Sequence, residues 1–427
     1  MDQGAPQLTS DTARGTTLVL RGGRTVSGAA LSDLVMVDGH ILPASPQRSG
    51  APPVDLASPP PGTDAIVIDT SGLTIVPGFI DLQINGGFGR DFTANPQSVW
   101  EVGSRLPAWG VTAFLPTLVS TDPGTIDAAT GTVVAGPPPG YAGATVLGLH
   151  LEGPFLAPSR RGAHDEAMLR PPSPDLVSGW SPSTGVRMVT LAPELPGALD
   201  TITMLVGNGV VVSAGHSDAA FEEAMAGFAA GATMVTHLFN AMSGIGHRSP
   251  GLAAAALAHP TVVSGLIADG HHVHAGAVRV ARAALGPNRI ALVSDAVAAA
   301  GAGGGGDPVR LGPMEISADG SVPRTAAGVL AGSLLSLDRA VRCYMELTGV
   351  DAAEAVAAVT TVPAAAMRLT DHGRLGGGFR GDATILDDDL AVVATIVGGR
   401  VVHGGDRLLG GGQALPPAPS QGDLGGG

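Results

Sequence analysis

Apolar residues in this chain gather in short, nearly unbroken runs that stop at polar residues or glycine turns. Eight runs predict buried strands: TIVPGFIDLQI (74–84), TAFLPTLV (112–119), ATVLGLHLE (144–152), VRMVTLAPE (186–194), GVVVSAGH (209–216), MVTHLFN (234–240), TVVSGLIAD (261–269) and RIALVSDA (289–296). A parallel strand covered on both faces has no solvent side, so it reads as continuous Val, Ile and Leu. Between the runs lie helix-like stretches, PQSVWEVGSRLPAWG, GALDTITMLVGNG and DAAFEEAMAGFAAG. The last has Asp218 as its expected N-cap and Gly231 as its closing residue. Strands and helices in alternation predict an α/β fold, a (β/α)8 TIM-like barrel at 74–370. An open doubly wound sheet competes, but it does not set eight consecutive strand ends around one mouth.

The two ends of the chain carry a different pattern. TTLVLRGG, DLVMVDG and AIVIDT near the start resemble DATILDDD, AVVATIVGG and RVVHGG near the finish. Residues 16–73 and 371–407 are therefore expected to pair into one small β-sandwich formed from both chain ends. Residues 1–15 and 408–427 are rich in Gly, Pro and Ser, a composition that predicts disorder.

Composition narrows the chemistry. The 427 residues carry a net charge of −14, which argues against nucleic acid or an anionic membrane as the main partner. A small phosphorylated ligand, needing one or two local Arg, remains open. All 23 basic residues are Arg and none is Lys, which excludes Schiff-base catalysis, a P-loop lysine and a carbamylated-lysine metal bridge. A single cysteine, Cys343, excludes an intrachain disulfide and is expected to be buried in a helix. The polar first residues, and the lack of any run near the roughly 18 apolar residues a membrane span needs, predict a soluble cytoplasmic protein.

Four of the apolar runs carry, where the apolar stretch breaks off, residues that bind metals or move protons: Glu152, His216, His237 and Asp295. Taken singly, each has a plainer reading. Glu152 and Asp295 could cap the next helix, and either His could be a hydrogen-bonded core residue. Together, a carboxylate and two His at three strand ends form the protein shell of a catalytic zinc-type site with one open position. Asp295 on the eighth strand would then serve as base and acid. His164 follows the Glu152 strand closely enough to reach the same mouth. Of His271, His272 and His274, at most one is expected to be functional. Arg248 is either an anion clamp or a solvated side chain. Gly301–Gly306 reads as a mobile loop beside the mouth. The first strand has Gln83 and Asn85 where a His-x-His pair would stand.

PGFIDLQING (77–86), HLEGP (150–154), SAGHS (213–217), THLFNAM (236–242), RSPG (248–251), ADGHH (268–272) and SDA (294–296) resemble, in order, the N-acetylglucosamine-6-phosphate deacetylases of the amidohydrolase superfamily. The resemblance runs over about residues 16–405. It implies hydrolysis of N-acetylglucosamine-6-phosphate to glucosamine-6-phosphate and acetate, in amino-sugar catabolism and cell-wall sugar recycling. Glu152, His216 and His237 then correspond to the ligands of one divalent metal ion per subunit, with Zn2+ the first expectation and Fe2+ or another divalent ion the alternative. Asp295 corresponds to the general base and acid, and the chemistry of the parts adds His164 as a group that steadies the oxyanion. Ala163, His164, Asn240, Ala241, Arg248, His272, Leu330, Ala331 and Gly332 correspond to substrate contacts. Arg248 reaches a neighbouring active site in the family, which implies a homodimer. Gln83 and Asn85 match the subgroup without His there, and an amide is a poor ligand beside imidazole, so one metal is expected. The rivals are a deacetylase of another N-acyl amino sugar, such as N-acetylgalactosamine-6-phosphate, and a non-catalytic sugar-phosphate-binding barrel.

Overall fold

The structure, a computed structural model, describes residues 17–31, 33–43, 65–302, 308–318 and 322–408. The predicted disordered stretches, apart from Leu408, and most of the Gly-rich loop, 303–306, lie outside the described residues.

Eight parallel strands form the barrel in chain order: Phe79–Ile84, Val111–Leu118, Leu149–Glu152, Val186–Leu191, Val211–Ala214, Met234–Val235, Val263–Leu266 and Ile290–Leu292. They are buried almost throughout, because helices cover one face and the packed interior the other. Closure of the last strand onto the first is made by a parallel bridge between Ile84 and Ala296. Asp295 N–H donates to Gln83 O and Asn85 N–H to Ala296 O, both at 2.8 Å. That seam brings residues about 210 positions apart in sequence into hydrogen-bond contact.

Two four-stranded sheets pack on each other beside the barrel. One joins Thr17–Arg21, Leu34–Val37, His40–Ile41 and Ala65–Asp69; the other joins Thr74–Pro77, Ala383–Leu386, Val392–Val397 and Arg400–His403. Leu18, Leu20, Met36 and Ile68 from the first share a core with Ile75, Ile385 and Ile396 from the second. The sheet pair is thus built from both chain ends.

Three expectations are corrected by the structure, and one further element was not foreseen. The run 74–84 is two strands, not one: Thr74–Pro77 pairs antiparallel with Ala383–Leu386, and only Phe79–Ile84 enters the barrel. The break falls at Gly78, where a Cβ would lie 2.0 Å from Thr112 Oγ1, so the chain can change sheets only at a glycine. The helix after the fifth strand is Phe221–Ala229 and its N-cap is Ala220, not Asp218. The Glu223 carboxylate accepts from Ala220 N–H at 2.8 Å, while Asp218 turns outward to Arg160. Gly231 does end the helix segment, at φ +117°. Cys343 lies in the helix Leu337–Thr348 but is only half-buried. Finally, the segment after the eighth strand folds into a three-stranded antiparallel sheet, Val309–Leu311, Met314–Ala318 and Pro323–Thr325. Leu311 and Ile316 of this sheet pack with Val119, Ala163, Val297 and Ala331 at the barrel mouth. Among the described residues, no helix is long and apolar enough to cross a membrane.

Candidate active site

A cavity of about 380 Å3 opens at the C-terminal ends of the barrel strands. Glu152, the last residue of the third strand, is 4% exposed. His216 and His237 come two residues after the fifth and sixth strands, and Asp295 three after the eighth. His216, His237 and Asp295 have φ of +50°, +26° and +48°. A non-glycine residue held there costs of order 1–3 kcal/mol, and such strain gathers where the surrounding fold dictates a side chain's aim. Gly215 lets the chain turn at His216, since a Cβ there would lie 2.8 Å from Thr236 Cβ.

Three donor atoms converge. Glu152 Oε1 is 3.2 Å from His216 Nε2 and 3.0 Å from His237 Nε2, and the two nitrogens are 3.1 Å apart. His216 Nδ1 donates to the Arg160 carbonyl at 2.9 Å, which leaves a lone pair on Nε2. Two imidazole nitrogens and a carboxylate oxygen aimed at one point are the donor set of a divalent cation. The titration pattern agrees with such crowding. Burial, then the His164 charge, push His216 below its ordinary pKa. For His237, burial pulls down but hydrogen bonding and charge from Glu152 prevail, and the value rises. Glu152 resists its burial and is held well below the carboxylate range by the neighbouring His164, His216 and His237.

Gln83 and Asn85 use their amides as donors. Gln83 Nε2 donates to Glu152 Oε1 at 2.9 Å, and Asn85 Nδ2 to Asp295 Oδ1 at 2.7 Å. Asp295 is pushed up to about 6, chiefly by burial and then by the Glu152 charge. His164 Nδ1 accepts the Ser120 N–H at 3.1 Å, so its proton sits on Nε2, which lies 3.6 Å from Glu152 Oε2.

Glu152, Ala163, His164, His216, His237, Asn240, Ala241, His272, Asp295 and Leu330–Gly332 all line the cavity. The structure separates the three neighbouring His as well. His272 donates from Nδ1 to Asp269 Oδ2 at 2.6 Å, while His274 caps the helix Ala275–Leu285 and His271 is exposed. Arg248 is exposed on the 243–251 loop and does not line its own chain's cavity. Sequence reasoning missed Arg160 and Leu311, which also line it. The only signal for Arg160 was its place in Arg160-Arg161-Gly162, just before the two cavity residues Ala163 and His164.

A model of the amidohydrolase family matches residues 74–402. The chain is similar to the N-acetylglucosamine-6-phosphate deacetylase of Homo sapiens, 39% identical over 353 residues, which span 79% of this chain and 85% of the relative. It is 38% identical over 323 residues to the N-acetylgalactosamine-6-phosphate deacetylase of Escherichia coli, spanning 74% and 85% of the two chains. Among solved structures, a Mycobacterium smegmatis N-acetyl-D-glucosamine-6-phosphate deacetylase variant in complex with N-acetyl-D-glucosamine-6-phosphate superposes with a TM-score of 0.78. That pair is 32% identical, covering 91% of this chain and 100% of the other.

Proposed function

The chain belongs to the amidohydrolase family, and we propose that it hydrolyses the acetamide of N-acetylglucosamine-6-phosphate to glucosamine-6-phosphate and acetate. The observation that carries this reading is the convergence of Glu152, His216, His237 and a separately held Asp295 on one cavity. The relatives at 34–39% identity that bear this activity's name support it. A cavity of about 380 Å3 suits a hexosamine phosphate, within the roughly 300–1,000 Å3 usual for small ligands.

One divalent cation, Zn2+ in first place, is assigned to Glu152, His216 and His237. When bound it supplies a Lewis acid that polarises the amide carbonyl and lowers a water's pKa from about 15.7 toward roughly 7. A second cation is not assigned, because the first strand offers the amides of Gln83 and Asn85, poor ligands beside imidazole, which donate to Glu152 and Asp295. Asp295 takes the proton of the attacking water and returns it to the amine nitrogen, which leaves only when protonated. Its raised pKa makes it a stronger base than an exposed Asp. His164 Nε2–H donates to the carbonyl oxygen as negative charge develops there. Without Lys, the phosphate falls to His272, the Asn240–Ala241 backbone and Arg248 from a second copy of the chain, in a homodimer.

Acetate release by the Zn2+-loaded protein tests this, with N-acetylglucosamine-6-phosphate, its carbon-4 epimer N-acetylgalactosamine-6-phosphate and free N-acetylglucosamine compared. The expected order puts the first substrate ahead, and ahead of the unphosphorylated sugar by at least about 100-fold in kcat/KM, because unpaired buried polar groups penalise a truncated substrate. Preference for the galacto epimer would reassign the substrate. No acetate from any of the three would favour the binding barrel.

A further inference from the structure

His216 is gripped from behind by a closed ring of contacts. Its Nδ1 donates to the Arg160 carbonyl at 2.9 Å. The Arg160 side chain in turn reaches Asp218, with Nε 2.9 Å and a terminal nitrogen 2.8 Å from the same Oδ1. Two residues of backbone then lead from Asp218 back to His216. Glu194 pins this turn from the other side, accepting the Ser217 hydroxyl at 2.7 Å and the Asp218 N–H at 2.6 Å. On the far side of Arg160 the chain passes Gly162, where a Cβ would sit 3.4 Å from His216 Cε1, and arrives at His164.

We propose that the Arg160–Asp218 ion pair is a positioning device that holds the Arg160 carbonyl against His216 and thereby aims His216 Nε2 at the metal position. The inference rests on the reading that Glu152, His216 and His237 hold a divalent cation. Its physical basis is that a histidine ligand needs its second nitrogen bonded, which fixes both tautomer and ring orientation. The acceptor here is a backbone carbonyl on a 3-10 turn, Pro158–Arg160. The Ala157 N–H, at the N-cap of that turn, donates to the His216 carbonyl at 2.9 Å and ties the two backbones together, and the Arg160 side chain adds the link at the other end of the turn. With 39% and 49% of the two side chains exposed, the pair adds little to global stability, so its effect is local geometry. His216 sits at φ +50°, a conformation that persists only where neighbours enforce it.

Full-length wild type, Arg160→Met, Asp218→Asn and the charge swap Arg160→Asp with Asp218→Arg provide the test. The readouts are Zn2+ affinity by chelator competition, the visible spectrum of the Co2+-loaded protein and the melting temperature of the metal-free protein. Each single variant is expected to bind Zn2+ about 10-fold more weakly, in the range seen for lost outer contacts of metal ligands, and to shift the Co2+ bands. Metal-free melting should hardly move, and the swap should recover most of the affinity. Single variants with wild-type Zn2+ affinity and Co2+ bands would overturn the proposal alone. So would a loss of affinity matched by a large fall in metal-free melting and not recovered by the swap. Wild type without stoichiometric Zn2+ would overturn the metal reading, and this inference with it.

Discussion

Asn85 Nδ2 donates to Asp295 Oδ1 at 2.7 Å across the seam where the eighth barrel strand closes on the first. The bond orients the carboxylate that we assign as the proton carrier and favours its charged form. Asn85→Ala removes both effects. Turnover is expected to fall about 10-fold with bound metal unchanged, less than the roughly 100-fold or more lost with an acid–base group itself, because the carboxylate remains. The acidic limb of the rate profile should move to higher pH, because losing a hydrogen bond to the carboxylate raises its pKa. A steady-state profile of the variant against wild type checks this; an unmoved limb would count against the role of Asn85.

Replacing the carboxylate itself should be more severe. Asp295→Asn keeps the three convergent donors, so it is expected to retain its metal while turnover drops at least about 100-fold. Metal analysis alongside acetate release separates the two effects, and near-normal turnover would remove Asp295 from the mechanism.

The pH dependence follows in sign from the same group. Burial and the Glu152 charge place Asp295 at about 6, and a base works only when deprotonated. Activity should therefore rise with pH through a single acidic limb. A bound cation favours the carboxylate, so the limb should lie at or below about 6. A kcat/KM profile with its acidic midpoint well above neutrality would contradict this assignment.

Metal stoichiometry tests the role of the two amides. Wild type is expected to hold one equivalent of tightly bound divalent metal and to lose activity on chelation. Gln83→His combined with Asn85→His supplies two imidazoles in place of the donors to Glu152 and Asp295. That double variant should take up a second equivalent, read by elemental analysis. Two equivalents in wild type would show that the amides do not limit the site.

Arg248 is exposed and does not line its own chain's cavity, so its assigned role requires a second copy of the chain. Arg248→Ala should raise KM for the phosphorylated substrate by at least about 10-fold, the order expected when a charged hydrogen-bond partner is removed. Co-expression of Arg248→Ala with Asp295→Asn should restore a site with wild-type KM and turnover, which neither variant has alone, since one mixed site would then be intact. Absence of such complementation in a verified mixed dimer would place the phosphate contact elsewhere.

Much of this was legible because buried parallel strands leave a simple trace. Each barrel strand coincides with a predicted apolar run, the second starting one residue early at Val111, and Glu152, His216, His237 and Asp295 stood out as polar residues at or near the ends of such runs. What misled the reading was local ambiguity. Asp218 has the chemistry of an N-cap, yet Glu223 fills that role and Asp218 pairs with Arg160. Residues 74–84 read as one strand because alternation does not reveal which sheet a strand joins. The strands over the mouth, Val309–Leu311, Met314–Ala318 and Pro323–Thr325, are short and half-exposed, so they left no run to find.

By itself the sequence determined the strand count, the two-ended sheet pair, the absence of Lys chemistry and the residue types available at the strand ends. These depend on composition and periodicity, which are local. Tertiary structure decided which of those residues meet. Only barrel closure sets Asn85 against Asp295 and Gln83 against Glu152, so that the first-strand amides act as hydrogen-bond donors. Only the folded mouth bends the backbone at His216, His237 and Asp295 into the left-handed region and lays the Arg160 carbonyl behind His216. Contacts across such sequence separations arise from packing, and no local pattern encodes them.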